Sequence, residues 1–248
     1  MNAHESASAP DANVPADTAL YREPGIARIA ARTAGVLLLF TLVFTALMAG
    51  MHAATKDRLA ASALEQKLRL IGEVLPRSQY DNDLIADSLT LPPLAILGNT
   101  GPTPLYRARL GDEPVAVVFE TVANDGYSGR IDLLVAIAAD GRLLAVRVTQ
   151  HRETPGLGDY IDPRKDRNKV RPWITQFSGK GFDEVPFARW HVRKDGGAFD
   201  QMAGATISAR AVTRASGRAL SWALPRLPDL FSLPRDAEPN AADLEKAP

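Results

Sequence analysis

Cysteine is absent from all 248 residues. That one absence removes disulfides, thiolate metal ligation, cysteine nucleophiles and iron–sulfur ligation together. An excess of either charge is also missing, since 29 basic residues balance 29 acidic ones. The chain therefore carries no bulk polyanion-binding signature, and no run of lysine and arginine with interleaved aromatics appears. Nucleic acid is not an expected partner. The four histidines, His4, His52, His151 and His191, lie far apart, with neither HExxH nor zinc-finger spacing, so each reads as structural and no metal site is expected. No GxSxG elbow, Walker loop or GxGxxG is present, which leaves a soluble dehydrogenase or a nucleotide hydrolase without its usual hardware.

What the chain does have is one long uncharged stretch. Thr33–Thr55, TAGVLLLFTLVFTALMAGMHAAT, runs about 23 residues without Asp, Glu, Lys or Arg, enough for a helix to cross a ~30 Å hydrocarbon layer. A cleaved signal peptide is the competing reading. Its apolar core would be shorter, typically about 7–15 residues, and would not follow some thirty residues of polar leader. No polar face exists to suit a buried amphipathic helix. An uncleaved anchor is expected. Arg22, Arg28 and Arg32 on one side face Lys56, Arg58, Lys67 and Arg69 on the other, so flanking charge leaves orientation open.

Around this anchor the organisation is simple. Residues 1–20, rich in Ala, Pro, Asp and Ser, read as a disordered leader, and 1–32 precede the span. Residues 56–75 repeat apolar side chains from Ala60 to Leu75 at helical spacing up to Pro76, which predicts a juxtamembrane helix. From Pro114, PVAVVFETVA, RIDLLVAIA and RLLAVRVT are β-rich runs divided by NDGYSG and ADG, both with Asp-Gly turn signals. They predict an antiparallel meander. FARWHV (Phe187–Val192) reads as a further strand and KDGG as its turn. ARAVTRASGRALSWALP places Val212, Ala215, Ala219, Trp222 and Ala223 on one helical stripe. The proline-rich 226–248 reads as a flexible tail. The fold class is α+β: one transmembrane helix, then one domain over 76–225 with an antiparallel sheet and flanking helices.

Two stretches could carry chemistry. HRETPGLGD (His151–Asp159) follows a strand and combines a rigid proline with two glycines, so its backbone can lie flat against a ligand or simply turn at the surface. DQMAGATIS (Asp200–Ser208) packs small residues around Thr206. Ser208 is a candidate N-cap for the helix that follows. Thr206 would then sit just ahead of a helix N-terminus, where unpaired N–H groups and the macrodipole favour an anion. A capping turn would leave the same trace in the sequence.

YDND (Tyr80–Asp83), the run Gly126–Asp159, the run Lys194–Val212 (KDGGAFDQMAGATISARAV) and the single N-terminal span together resemble one family. They are similar to RnfG-type (RsxG-type) subunits of the Rnf electron-transport complex, which carry an FMN-binding domain. The C subunit of the sodium-pumping NADH:quinone reductase is a more distant relative. The resemblance covers about residues 25–225. It implies FMN held covalently through a phosphoester to the threonine of a D-x-x-[S/T]-G-A-T motif, which corresponds to Thr206. Asp200 opens that motif, Gly204 and Ala205 complete it, and Ala203 stands in its Ser/Thr slot, one hydroxyl short of the pattern.

The same resemblance implies that Glu153, Thr154, Gly156 and Leu157 line the flavin, that Lys194 lies near its phosphate or ring, and that Trp173 covers the site. It implies a flavin transferase acting during maturation with FAD as donor and Mg²⁺, a C-terminal domain on the periplasmic face of the bacterial inner membrane, and partner subunits of the A, B, C, D and E types. The expected function is electron relay in a complex that couples ferredoxin/NAD electron transfer to ion translocation. No residue of this chain then need act as general acid or base. The quinone-reductase C subunit, or a membrane-tethered module binding FMN non-covalently or not at all, are the alternatives.

Overall fold

A computed structural model describes residues 25–245, so the leader expected over 1–20 lies outside the described residues, as does Arg22. Helix α1, Ile26–Val74, takes in the uncharged stretch, the segment expected as a separate juxtamembrane helix, and residues 26–32, expected to be disordered with the leader that precedes the span. Ile26–Lys56 is the one helix, among the described residues, long and apolar enough to cross a membrane. Its leucines, valines and phenylalanines are exposed, as a lipid-facing surface requires. The chain divides into two compact units, Met1–Ser62 and Ala63–Pro248.

The second unit is built on a five-stranded antiparallel sheet with its strands in sequence order. These are β1 (Ser88–Leu91), β2 (Thr103–Leu110), β3 (Glu113–Gly126), β4 (Gly129–Ala138) and β5 (Leu143–Gln150). The meander expected from Pro114 onward is β3–β5; β1 and β2 extend it. Residues Tyr127 and Ser128 turn β3 into β4, closed by the Gly126–Gly129 pair. The Asp140-Gly141 turn, with Gly141 at φ 87°, reverses β4 into β5.

The strands are apolar almost continuously because both faces of the sheet are covered. Leu105, Val117, Phe119, Leu133, Val135 and Ile137 belong to one core. The residues between them, Tyr106, Ala116, Val118, Leu134 and Ala136, form a second core with Ile71, Val74 and Leu75 at the end of α1. Of the helical stripe expected before Pro76, those last positions are buried, while Leu64 and Leu68 remain exposed.

Helix α2 (Thr206–Ala223) covers the first face. Val212, Ala215, Ala219, Trp222 and Ala223 are all buried, as their spacing predicts. Small residues let α2 approach closely. A Cβ on Gly217 would come within 2.5 Å of the Trp190 ring, and that indole donates to Ser216 Oγ at 3.2 Å.

The structure departs from two expectations. FARWHV is not a strand: Phe187–Arg189 form a 3-10 turn, and only Val192 makes an isolated bridge, to Phe199. Trp190 is buried against α2 rather than pairing with a sheet, and Phe187 is exposed. The segment after Pro225 is not a free tail. Helix α3 (Leu227–Ser232) buries Leu227, Leu230 and Phe231, and α4 (Ala241–Glu245) buries Leu244. Arg107, fully buried in β2, donates to the Leu230 and Leu233 carbonyls and pairs with Asp87 at 2.5 Å. Trp222 Nε1 donates to the Leu244 carbonyl at 3.1 Å. The prolines punctuate the segment, but its leucines and phenylalanine still have a core to enter.

Candidate functional site

The site is assembled from the long excursion between β5 and α2, residues 151–205, which is made of short 3-10 turns and loops. At its start, Glu153 turns inward to 4% exposure. Its Oε1 accepts from the Ser128 backbone N–H at 3.0 Å and its Oε2 from the Ser208 hydroxyl at 2.5 Å. One carboxylate therefore joins the β3–β4 turn, the ETPGLG loop and the first turn of α2. Gly158 permits this closeness, because a Cβ there would lie 2.6 Å from Ser208 Oγ and 2.7 Å from Glu153 Oε2.

Ser208 is thus not the N-cap expected of it. Helix α2 begins at Thr206 with Ala205 as the capping residue (φ −130°, ψ 39°), and no side chain caps its end. Ser208 lies in the first turn and spends its hydroxyl on Glu153. Among the described residues, no side chain accepts from the first-turn N–H groups. Gly204, at φ 85°, supplies the left-handed step that brings the chain into the helix. Thr206 is half-buried at the first helical position, and its hydroxyl has no hydrogen-bond partner among the described residues.

Beside this terminus lies a cleft of about 220 Å³, lined by Tyr127, Glu153, Thr154, Leu157, Gly158, Gly204, Ala205, Ile207 and Ser208. It brings together Glu153, Thr154, Leu157, Gly204 and Ala205 of the predicted site, with Thr206 between two lining residues in sequence. Tyr127, Gly158, Ile207 and Ser208 were not predicted. The signal for Tyr127 and Gly158 was their place in the run Gly126–Asp159; nothing local distinguishes Ile207. Tyr127, Leu157 and Ile207 are exposed, giving the cleft an apolar mouth above a polar floor.

Gly156, Asp200, Lys194 and Trp173 stand outside the lining. Gly156 donates its N–H to Asp159 Oδ1 at 2.9 Å and shapes the loop. Asp200 accepts at its carbonyl from Trp173 Nε1 at 2.7 Å and pairs through its carboxylate with Arg193 at 3.0 Å. Trp173 packs edge-on against Tyr160 and Phe177 and is not among the residues that line the cleft. Lys194 is exposed, its N–H donating to Gln201 Oε1 at 3.3 Å. Its neighbour Asp195 holds Arg210 of α2 through two short bonds.

Tyr160 was missed altogether. Its hydroxyl accepts from the Met202 N–H at 3.2 Å and donates to the Ala205 carbonyl at 3.3 Å, spanning the turn that presents Thr206. Burial, reinforced by the nearby Asp166 and Glu153 carboxylates and only partly opposed by the Met202 N–H, pushes the phenol up to about 12. It stays protonated and able to donate.

A slightly larger pocket, about 280 Å³, lies at Ser128, Arg130, Asp132, Gln150, His151 and Arg152. Arg130 is bonded to Asp132 at 2.6 Å, and no apolar side chain lines it to face a ring. No cluster of side chains suited to a metal ion occurs among the described residues.

The FMN-binding domain family matches residues 126–221, from the turn at Tyr127 through α2, and the RnfG N-terminal region family matches residues 26–74. Among similar proteins, the G subunit of the ion-translocating oxidoreductase complex of Cronobacter sakazakii is 45% identical over 82% of this chain and 94% of its own length. The G subunit from Yersinia pestis is 44% identical over the same shares, and that from Shewanella baltica 38% over 83% and 94%. The chain belongs to the family of G subunits of ion-translocating oxidoreductase complexes, and its second unit contains an FMN-binding domain over residues 126–221.

Proposed function

We propose that this chain is a membrane-anchored electron relay, carrying FMN through a phosphoester to the Thr206 hydroxyl within an ion-translocating oxidoreductase. The observation that carries the reading is the hydroxyl itself. It has no hydrogen-bond partner among the described residues and stands at the uncapped N-terminus of an 18-residue helix, beside an apolar-mouthed cleft. A phosphodiester keeps one negative charge, and the first-turn N–H groups and helix dipole stabilise an anion there by about 0.3–1 kcal/mol, more when partly buried. Arg193, Lys194 and Arg210 add positive charge near the turn, although Asp200 and Asp195 pair with two of them.

Bound FMN supplies reversible electron exchange. The chain's own residues position and retain it. Leu157, Tyr127 and Ile207 offer apolar contact, Glu153 and Ser208 fix the floor, and Tyr160 holds the DQMAGAT turn. No side chain is assigned a proton-transfer role. Anchoring through residues 33–55, with the FMN-binding unit on the periplasmic side and 1–32 in the cytoplasm, would place the flavin where free FMN is scarce. A covalent bond would there prevent its loss. Electron transfer between ferredoxin and NAD coupled to ion movement, companion subunits of the A to E types, and a flavin transferase using FAD and Mg²⁺ complete the reading.

The test is in-gel fluorescence after denaturing electrophoresis of full-length chain co-expressed with a competent flavin transferase. A flavin band at the mass of the chain, absent from Thr206→Ala, is expected. Wild-type protein that releases all its flavin on denaturation would favour the non-covalent module, and protein without flavin would end the relay reading. The RnfG-type N-terminal match and the names of the relatives described above, which are G subunits, speak against the quinone-reductase C subunit.

A further inference from the structure

Although the chain is neutral overall, PRKDRNKVRP at 163–172 carries Arg164, Lys165, Arg167, Lys169 and Arg171 against the single acid Asp166. All five cations are exposed, while Asp166 and the preceding Asp162 are buried at 3% and 2%. Like charges packed this closely repel one another and favour an open, solvated loop. Here the loop is pinned from beneath. Asp166 accepts from the backbone N–H groups of Trp173, at 2.5 Å, and Asn168, at 2.9 Å. Asn168 Oδ1 accepts from the Arg171 N–H, and Lys169 Nζ donates to the Arg164 carbonyl at 2.7 Å. Burial alone would raise the Asp162 carboxyl, yet hydrogen bonds from Arg164 hold it below its usual range. The acids are spent inward on shape, and the cations are left outward.

Three of those cations, Lys165, Arg167 and Arg171, have no side-chain partner among the described residues. Between them Val170 is 98% exposed, an apolar side chain at the centre of a charged rim. The loop is also mechanically joined to the candidate flavin site. Asp166 holds Trp173, Trp173 donates to the Asp200 carbonyl at the start of DQMAGAT, and Trp173 packs on Tyr160, which spans that turn.

We propose that residues 163–172 are a docking face for the acidic surface of a protein that works beside this chain. A fluid sheet of anionic headgroups is satisfied by a flexible polybasic tail and needs no fixed spacing. A loop backbone shaped by a buried acid presents its cations at defined points, which suits fixed carboxylates, and the planar forks of Arg167 and Arg171 match a carboxylate bidentately. Complementary charge of this kind steers and orients a partner more than it adds raw affinity. Its position next to the DQMAGAT turn would bring that partner close to the cleft. The assignment stands on the loop and not on the chemistry at Thr206, so the two readings can fail separately.

The absence of cysteine provides the test. Val170→Cys in the full-length chain creates a single thiol, which is labelled with a benzophenone maleimide in membranes from cells expressing the chain with its companion subunits. After irradiation, adducts are mapped by peptide mass spectrometry. The expected product joins the labelled thiol at position 170 to a protein segment rich in Asp and Glu. Adding Lys165→Glu, Arg167→Glu and Arg171→Glu, positions whose side chains make no hydrogen bond or ion pair among the described residues, is expected to cut the yield roughly tenfold, and raised salt should weaken it too. Adducts to lipid alone, adducts to peptides without acidic residues, no adduct, or a yield indifferent to charge reversal would each overturn the proposal.

Discussion

Ser208 Oγ and Glu153 Oε2 lie 2.5 Å apart, with the serine donating to a carboxylate that is 4% exposed. Ser208→Ala removes one of the two donors found for this buried anion. Leaving it half-satisfied costs about 1–3 kcal/mol, visible as a lower urea midpoint of the full-length chain in detergent. An unchanged midpoint would mean that water replaces the hydroxyl freely.

Glu153 also places negative charge in the wall of the cleft. No lysine or arginine pairs with it among the described residues. A fixed anion beside a flavin disfavours adding an electron, and desolvation strengthens the effect. Glu153→Gln keeps the shape, since its amide can still accept from Ser128 N–H, and removes the charge. Potentiometric titration of flavin-loaded protein should show a rise on the order of 50 mV, close to a tenfold change in a one-electron equilibrium. A potential that does not move would put the charge too far from the ring to matter.

Asp87 binds two guanidinium groups, Arg107 at 2.5 Å and Arg109 at 2.9 Å, at 3% exposure. Asp87→Ala would strand Arg107 in the interior, a change worth about 3–5 kcal/mol. Arg107 and Arg109 also donate to carbonyls of residues 230–234. Loss of the acid should therefore release the C-terminal segment first. Limited proteolysis is expected to cut after Pro225 well before the sheet opens. Simultaneous loss of both would show that the segment is no separate unit.

The pattern of what the sequence revealed follows from these contacts. Strands β3–β5 were legible because alternate residues enter two cores and the turn-rich NDGYSG and ADG stretches divide them, although Asp125-Gly126 ends β3 and only Asp140-Gly141 is itself the turn; α2 was legible because its buried stripe keeps helical spacing. FARWHV misled because Trp190 and Val192 are buried without a strand partner, and local apolarity does not say what it packs against. The C-terminal segment misled for the opposite reason. Its prolines are local, but Arg107, the residue that holds it, is more than a hundred positions away. At the site, Thr206 and the TPGLG loop were marked by their own small residues. Ser208 looked like a cap because only its position before a helix is local, whereas its acceptor Glu153 is fifty-five positions earlier. Tyr160 had no local signature at all.

Tyr160 gives a prediction with a definite pH arm. Its phenol is raised from 10.0 to about 12 in the folded chain, chiefly by burial. Between those values the unfolded state has lost a proton that the folded state keeps, so stability falls as pH rises. The contribution is fully present below about pH 10 and is lost through about pH 12. Tyr160→Phe removes this arm: the variant should lose less stability than wild type on going from neutral to strongly alkaline pH, and the wild-type spectrum should show one late-titrating tyrosine that the variant lacks. At neutral pH the variant is expected to be weaker, because Met202 N–H and the Ala205 carbonyl lose their partner at about 0.5–1.5 kcal/mol each. If the loss falls on the turn that carries Thr206, backbone amide exchange at Met202 should accelerate more than exchange in the sheet. Equal acceleration everywhere would assign Tyr160 to the general core instead.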